Sequence, residues 1–599
     1  MTEELNVGRS DPAYMAHAYL TKVPVPAIIP FIETHTQPGQ IVLDPFAGSG
    51  MTGVAAAMTG RSARLFDISV LGQHIGSNFV NLVDGHLLSK HAAEVVEASQ
   101  KELGDVYKAQ CRRCKHLGHL VKTVWTILVR CRSCGESVNY YRAMEAANWV
   151  KPDMVCQSCS TSVSSRDPRV GEEPVLDYLD CQCQANQVEQ DSMPPQTDVD
   201  IESLPYPRVE ITPDRQMYKA SALGKSGLTT VASFYSTRNL AVLTTLREQI
   251  RSVADDSIRR KLLFAFTACL TRASKRYQWS RQRPLNAANA NYYVAPVFYE
   301  WNVYELFLRK VTAVARSDEW VAATRSTYVE DSEVGPDVEY GISSAENIPL
   351  PDNSIDYVFT DPPFGSNLFY ADMALFQEAW LDGFSNVEEE AVVDRSRGGK
   401  RSASRYEGLI TAALSECNRV VRPGGSISMV FGNSSGQMWA LVQRSIRNAK
   451  LAIVPESLTI LNKGQRSVKG LASGFEHVAT LDLITTMVAA DGELPPLTHV
   501  PDGEVARLVR GLAENNQDTT PSHLYLELLR TAIRNNWMVD ELNLSAVTEA
   551  LIEDGWTVQS KTGRLRRKGD SDELSDLLPS PEISLDDLSE EFVADPLFS

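Results

Sequence analysis

The sequence predicts an α/β protein: a doubly wound, mostly parallel sheet that the chain leaves after two strands and rejoins near residue 338. Two segments carry this expectation. The apolar run Ile41-Val42-Leu43 enters Asp44-Pro45-Phe46-Ala47-Gly48-Ser49-Gly50-Met51-Thr52, and Ile355-Asp356-Tyr357-Val358-Phe359-Thr360 enters Asp361-Pro362-Pro363-Phe364. Each reads as a buried strand ending in an acid and a tight turn. A third observation shows what fills the interval: eight of the ten cysteines lie between Cys111 and Cys183, in four close pairs.

Residues 1–105 form the first half of the sheet domain. Loop and helix punctuated by Pro24, Pro26 and Pro30 lead to a strand at 41–44, a helix at 51–59, a strand at 63–67 and a helix from about 70. The cysteine block occupies 106–190. Residues 191–335 begin as a polar linker, become helical over 237–276, and turn aromatic and basic over 277–303. The α/β pattern resumes over 336–488, with a strand at 355–360, helices at 370–382 and 406–420, a strand at 426–431, and strands near 451–460 and 476–484 that suit an antiparallel edge. Residues 489–569 read as a separate winged-helix-like module, with helices near 521–535 and 544–553 and a turn at Gly563. Residues 570–599 read as a disordered acidic tail.

The chain has 599 residues and a formal net charge of −18, of which the tail, with ten acidic and no basic residues, carries −10. Between Arg247 and Arg283 the balance reverses to ten basic against three acidic residues, and local fields decide nucleic-acid binding more than whole-chain charge does. No apolar run reaches the ~20 residues of a membrane helix, and the first residues lack signal-peptide character. A cytoplasmic protein is expected. There, paired cysteines signify metal rather than disulfides.

The first turn has glycines where a backbone must approach a ligand, with a helix N-terminus beyond it. Asp67 ends the next strand, where this fold binds ribose hydroxyls. In the second turn two prolines stiffen the chain. The Asp361 carboxylate and Pro362 carbonyl can then accept from one amino group, while Phe364 offers a stacking face. Together the two turns suggest a nucleotide-like cofactor beside a planar amine. Cys111-x2-Cys114 and Cys131-x2-Cys134, sixteen residues apart, have zinc-ribbon spacing. Cys156, Cys159, Cys181 and Cys183 make a second four-thiolate set, and interleaved pairing stays open. Either way the zinc is structural, because four thiolates leave no open position. Arg272, Lys275, Arg276, Arg281 and Arg283, interleaved with Tyr277, Trp279, Tyr292 and Tyr293, are candidate DNA contacts. Arg397, Lys400 and Arg401, in a loop after the second turn, are further candidates.

With these residues in place, the chain resembles the SAM-dependent amino-methyltransferases that modify exocyclic nitrogens of DNA bases, and most specifically adenine-specific DNA methyltransferases with an inserted zinc-ribbon region. The resemblance covers 10–90 and 340–485. Asp44 to Thr52 is similar to the family's motif I, and Asp361 to Phe364 to its catalytic motif IV, with Phe where Tyr is commoner. His17 to Pro24 resembles the segment that covers the methionine end of the cofactor. The resemblance implies a Rossmann-like methyltransferase sheet with S-adenosylmethionine held by Thr21, Lys22, Asp44, Pro45, Phe46, Gly48, Ser49, Gly50, Thr52 and Asp67. It implies catalysis by Asp361, Pro362, Pro363 and Phe364, DNA as substrate, and partners from a restriction-modification or phage-defence system. Asp at 361 points to adenine N6. Cytosine N4 methylation, RNA guanine N2 methylation and a non-catalytic DNA-binding subunit stay open as alternatives.

Overall fold

The structure is a computed structural model that describes residues 3–19, 22–192, 199–281, 292–329, 336–366, 369–394, 401–464, 479–515, 519–559 and 563–567. Thr21, Arg283, Arg397, Lys400 and the acidic tail lie outside the described residues.

Among the described residues the main sheet has nine strands: β1 (Glu4–Asn6), β2 (Ile41–Asp44), β3 (Ser62–Asp67), β4 (Val338–Ile342), β5 (Ile355–Thr360), β6 (Val421–Phe431), β7 (Leu451–Ile453), β8 (Thr459–Asn462) and β9 (Asp482–Ala489). They lie in the order β4-β3-β2-β5-β6-β9-β8-β1, with β7 also on β9. Pairings are parallel from β4 through β6 and between β8 and β1. β9 runs antiparallel to β6, β7 and β8, which gives the expected antiparallel edge. β5 is buried along its whole length, as a central parallel strand covered on both faces must be.

Strand order reverses between β2 and β5. From β2 the chain builds outward through β3 and β4; from β5 it builds the other way through β6. Ligands of open α/β sheets bind in the crevice this reversal leaves at the strand carboxyl ends. Both acidic turns therefore fall at one point. Asp356 fastens the opposite ends of these strands: its Oδ2 accepts from the Ile41 backbone N–H at 2.8 Å, and its Oδ1 accepts from Gln40 at 3.0 Å.

The insertion leaves after the helix Val70–Phe79 and returns at β4, which pairs with β3 in register Tyr340 to Leu65. Among the described residues it contains four long helices (Gly85–Leu103, Thr237–Arg251, Asp256–Ala273 and Val303–Tyr328) and a second, six-stranded sheet. The buried Lys261–Asp318 ion pair, 2.8 Å, joins two of the helices. The spine of the second sheet is a strand of fourteen residues, Leu117–Arg130. It pairs antiparallel with Arg169–Asp180 on one side and Val297–Trp301 on the other. The insertion also grips the catalytic half, because Asp372, on the helix Tyr370–Glu378, accepts from Arg215 at 2.8 Å and from the Met217 backbone at 3.0 Å.

The spine corrects the pairing that the cysteine spacing suggests. Cys111 and Cys114 precede one end of the strand and Cys131 and Cys134 follow the other, about 45 Å away at ~3.3 Å per residue. The first and second pairs cannot share an ion. The antiparallel register His119 to Asp180 brings Cys181 and Cys183 back beside the first pair, giving the groups Cys111, Cys114, Cys181, Cys183 and Cys131, Cys134, Cys156, Cys159.

After β9, helices Glu504–Asn515, Pro521–Arg534 and Leu544–Glu553 precede an antiparallel hairpin of Trp556–Val558 and Leu565–Arg567. This unit packs against the sheet domain. Leu524, Leu528 and Leu544 share one apolar cluster with Met438, Trp439 and Ile460 of the sheet domain. Gly436 opens the helix Gly436–Asn448, and a Cβ there would lie 2.4 Å from the Val539 carbonyl.

Candidate active site

Asp44 ends β2 with its side chain almost wholly enclosed. Its Oδ2 accepts from the Thr52 hydroxyl at 2.6 Å, and its Oδ1 from the Phe46 backbone at 3.1 Å. Burial pushes the carboxyl up to about 7 despite these hydrogen bonds. Gly48 has φ +48°, and a Cβ there would come within 3.1 Å of the Tyr19 ring. Its N–H donates to Asp67 Oδ2 at 2.8 Å, while Ser69 N–H donates to Oδ1 at 2.9 Å. The tip of β3 is thereby fixed against the turn after β2. From β4, the Tyr340 hydroxyl donates to the Gly48 carbonyl at 2.7 Å.

One cleft runs from this turn to the second. It encloses about 950 Å³ when the open solvent at its mouth is included. Of the expected cofactor residues, Lys22, Asp44, Pro45, Phe46, Gly48, Ser49, Thr52 and Asp67 line it; so do Asp361 and Pro363. Gly50 serves packing instead: at φ +78°, a Cβ on it would stand 2.6 Å from Gly76 Cα. Lys22 is 4 % exposed and donates to the Tyr14 carbonyl at 2.9 Å and to the His17 carbonyl. Burial lowers its ammonium to about 7.

Asp361 stands at the other end of the cleft. Its Oδ1 is buried and has no hydrogen-bond partner. Burial pushes the carboxyl up to about 8 against the pull of Lys463, with Asp482 and Asp44 adding to the rise. Pro362 is buried. The Pro363 carbonyl accepts from Tyr406 at 2.6 Å and the Phe364 carbonyl from Asn433 at 2.9 Å, so the turn is held from two sides. The Phe364 ring sits edge-on to Phe431, with centroids 5.3 Å apart, rather than on the cleft wall.

A carboxyl that titrates near 8 in the fold and near 3.8 unfolded keeps its proton in the folded chain while the unfolded chain releases it. Stability is therefore lost as pH rises across that interval. Relative to Asp361→Asn, the wild type should lose stability steadily between about pH 4 and pH 8 and then level off. Denaturant midpoints of the two proteins across pH measure this.

The basic candidates divide. Arg276 is 3 % exposed, with its guanidinium 4.8 Å from the Phe376 ring centroid. Arg401 is largely buried and pairs with Glu390 at 2.5 Å. Both guanidinium groups are thus turned into the fold. Lys275 pairs with Glu172 at 2.7 Å, Arg272 lies against Tyr277 and Trp301, and Arg281 lies 5.5 Å from the Trp149 ring centroid. The sequence reading missed Ser343 and Ser344, which follow β4 into the cleft, and Glu390, which also lines it. The position of the serines just past a strand end was the available signal. Glu390 had none, since a long chain excursion separates it from the sheet.

In each cysteine group the sulfurs all lie within 4.8 Å of one another, and the closest contacts are 3.3 Å (Cys114–Cys181) and 3.5 Å (Cys131–Cys159). Four thiolates at ~2.3 Å from one tetrahedral zinc stand ~3.8 Å apart, so both groups fit zinc. Among the described residues no helix is long and apolar enough to cross a membrane.

Residues 4–81 match the family model described as DNA methylase. The Escherichia coli (strain K12) protein named "Putative methylase YubD" is 52% identical over 54 residues, which is 9% of this chain and 23% of that protein. A chain from a complex containing the Haloferax volcanii Trm112 methyltransferase activator aligns over 28% of this chain and 68% of its own length, at 12% identity and a TM-score of 0.16. That likeness is too slight to bear on the fold, which rests on the strand order above. The segment that is similar to the DNA methylase family carries Asp44, Gly48, Thr52 and Asp67 on one cleft wall.

Proposed function

We propose that the chain is an S-adenosylmethionine-dependent DNA methyltransferase that methylates the exocyclic N6 amine of adenine. The observation that carries this reading is the buried, unpartnered Asp361 Oδ1 at one end of a cleft whose other end is built from Asp44, Gly48 and Asp67. A buried acceptor without a partner costs stability, and a substrate N–H relieves that cost.

Asp44, Thr52, Gly48 and Asp67 would hold the nucleoside end of the cofactor, and Lys22 and Tyr19 would close over the rest. When bound, S-adenosylmethionine supplies an electrophilic methyl group. The target base leaves the duplex at a cost of a few kcal/mol. Asp361 and the Pro362 carbonyl each accept one N–H of its amine, which turns the nitrogen lone pair toward the cofactor end of the cleft. The nitrogen becomes cationic as it reacts, and the adjacent Asp361 carboxylate stabilises that charge in a site largely shut off from water. The released proton can pass to Asp361 or to solvent, so no stronger base is required. The rate gain comes from positioning and fixed charge.

Incubation with methyl-labelled cofactor and DNA, digestion to nucleosides and chromatography test this. Labelled N6-methyladenosine of the deoxy series is expected. Labelled N4-methylcytosine would overturn the choice of base, and transfer to RNA alone the choice of substrate. DNA binding without cofactor binding would replace the enzyme by a binding subunit.

A further inference from the structure

Beyond Asp361, along the same sheet edge, lies a second charged group. Lys463 follows β8 and Asp482 opens β9; Lys463 Nζ stands 2.5 Å from Asp482 Oδ2, and the two side chains are 11% and 9% exposed. Gly432, just past β6, makes room for them. A Cβ there would lie 2.1 Å from Asp482 Oδ1 and 3.3 Å from the Phe364 ring, so the Asp482 carboxylate occupies the space that any other residue at 432 would fill. The registers Thr360 to Met429, Phe431 to Leu483 and Leu461 to Asp482 set the turn after β5 and this ion pair along one row of strand ends.

An ion pair enclosed in this way adds little to stability compared with an apolar pair of the same volume, and the fold gives no structural reason for it. Its surroundings give a chemical one. Asp361 is faced by Asp44 on the cofactor side and by Asp482 and Lys463 on the other; Lys463 is faced by Asp482, Asp361 and Tyr14. One cation thus serves two carboxylates, Asp482 and Asp361. Burial pulls the Lys463 ammonium down, but Asp482 and Asp361 outweigh this and hold it above its ordinary range, so it stays charged at any working pH.

We propose that Lys463 is a positioning residue for methyl transfer: anchored by Asp482 across the side-chain-free Gly432, it opposes the effect of burial on Asp361 and so enlarges the fraction of that carboxyl that is ionised and accepts from the substrate amine. This rests on the reading of Asp361 as the amine acceptor. A neutral carboxylic acid in that place would offer its own O–H to the amine and leave one fewer acceptor, and it would not stabilise the cationic nitrogen.

The test uses Lys463→Gln, which keeps a donor for Asp482 without charge, and Lys463→Arg, which keeps the charge. The first readout needs no activity. An infrared titration follows the protonated-carboxyl band assigned to Asp361 by its absence in Asp361→Asn. Its midpoint should rise in Lys463→Gln and return toward wild type in Lys463→Arg; an unchanged midpoint in Lys463→Gln overturns the proposal. The second readout is the pH profile of kcat on DNA. The acid limb should move to higher pH in Lys463→Gln, and kcat at neutral pH should fall about tenfold for each whole pH step the limb moves, with recovery above the new midpoint and cofactor Kd unchanged. A uniform loss at every pH would mean a merely structural role and also overturns it. A raised infrared midpoint in Lys463→Gln, alongside a wild type that methylates no nucleic acid, would leave the Lys463–Asp361 coupling standing and sink the functional reading instead.

Discussion

Asp361→Ala is expected to abolish measurable methyl transfer, with kcat down by on the order of 10²–10³-fold or more, while the protein keeps or gains thermal stability at pH 8. The two effects have one cause. In the folded chain the carboxylate is buried, one oxygen has no partner, and Asp44 and Asp482 lie near. Removing it relieves desolvation and like-charge repulsion, so a gain in stability with a loss of function is the mark of a group kept for its reaction. Cofactor affinity should change little, because Asp44 is fixed by Thr52 and the Phe46 backbone, and Asp67 by Gly48 and Ser69, none of them through Asp361. Calorimetry of cofactor binding, nucleoside analysis and melting curves on one preparation separate the three quantities. A variant that still transfers methyl at near wild-type rate would remove Asp361 from the chemistry; one that melts well below wild type would show that the carboxylate is structural.

The two turns were legible in the sequence because each combines a buried strand, an acid and residues with special backbone limits. Asp44 to Thr52 needs glycine at 48 for close approach to Tyr19 and at 50 for contact with Gly76. Asp361 to Phe364 needs rigidity. Such local requirements appear as local composition. That the turns meet in one cleft followed from strand patterning and the switch-point rule, and the sheet order agrees. The burial of Arg276 and Arg401 was not legible, because charge is visible in a sequence and burial is not. Each lies in a segment rich in basic residues, yet the fold turns one onto Phe376 and pairs the other with Glu390. Lys463 and Asp482 gave no signal at all. They lie on either side of the segment that joins β8 to β9, and only the pairing of these two strands brings them together. The same holds for the C-terminal helices, whose amphipathic pattern states that a face is buried but not that it is buried on the helix Gly436–Asn448.

Zinc content should expose the nested cysteine pairing directly. The intact chain is expected to hold two zinc ions. Cys111→Ser should remove one and Cys131→Ser the other. The double variant Cys111→Ser/Cys181→Ser should still hold one ion, since both changes fall on the same group; Cys111→Ser/Cys131→Ser should hold none. Pairing in sequence order, with Cys111 and Cys131 sharing an ion, predicts the reverse for both doubles and would overturn the arrangement. The thermodynamic effect should be large. Structural four-ligand zinc sites contribute apparent binding energies of about 10–16 kcal/mol, comparable to or above the ~5–15 kcal/mol that holds a whole domain together. The groups clamp opposite ends of the strand Leu117–Arg130, which also pairs with Val297–Trp301 at the start of the long helix Val303–Tyr328. Losing both ions should therefore unfasten the second sheet and the helical layer it joins, while β2, β5 and their turns, which draw no ligand from the cysteine block, keep their pairing. Limited proteolysis after chelation should cut first between residues 106 and 190 and leave cofactor binding measurable, with transfer to DNA lost.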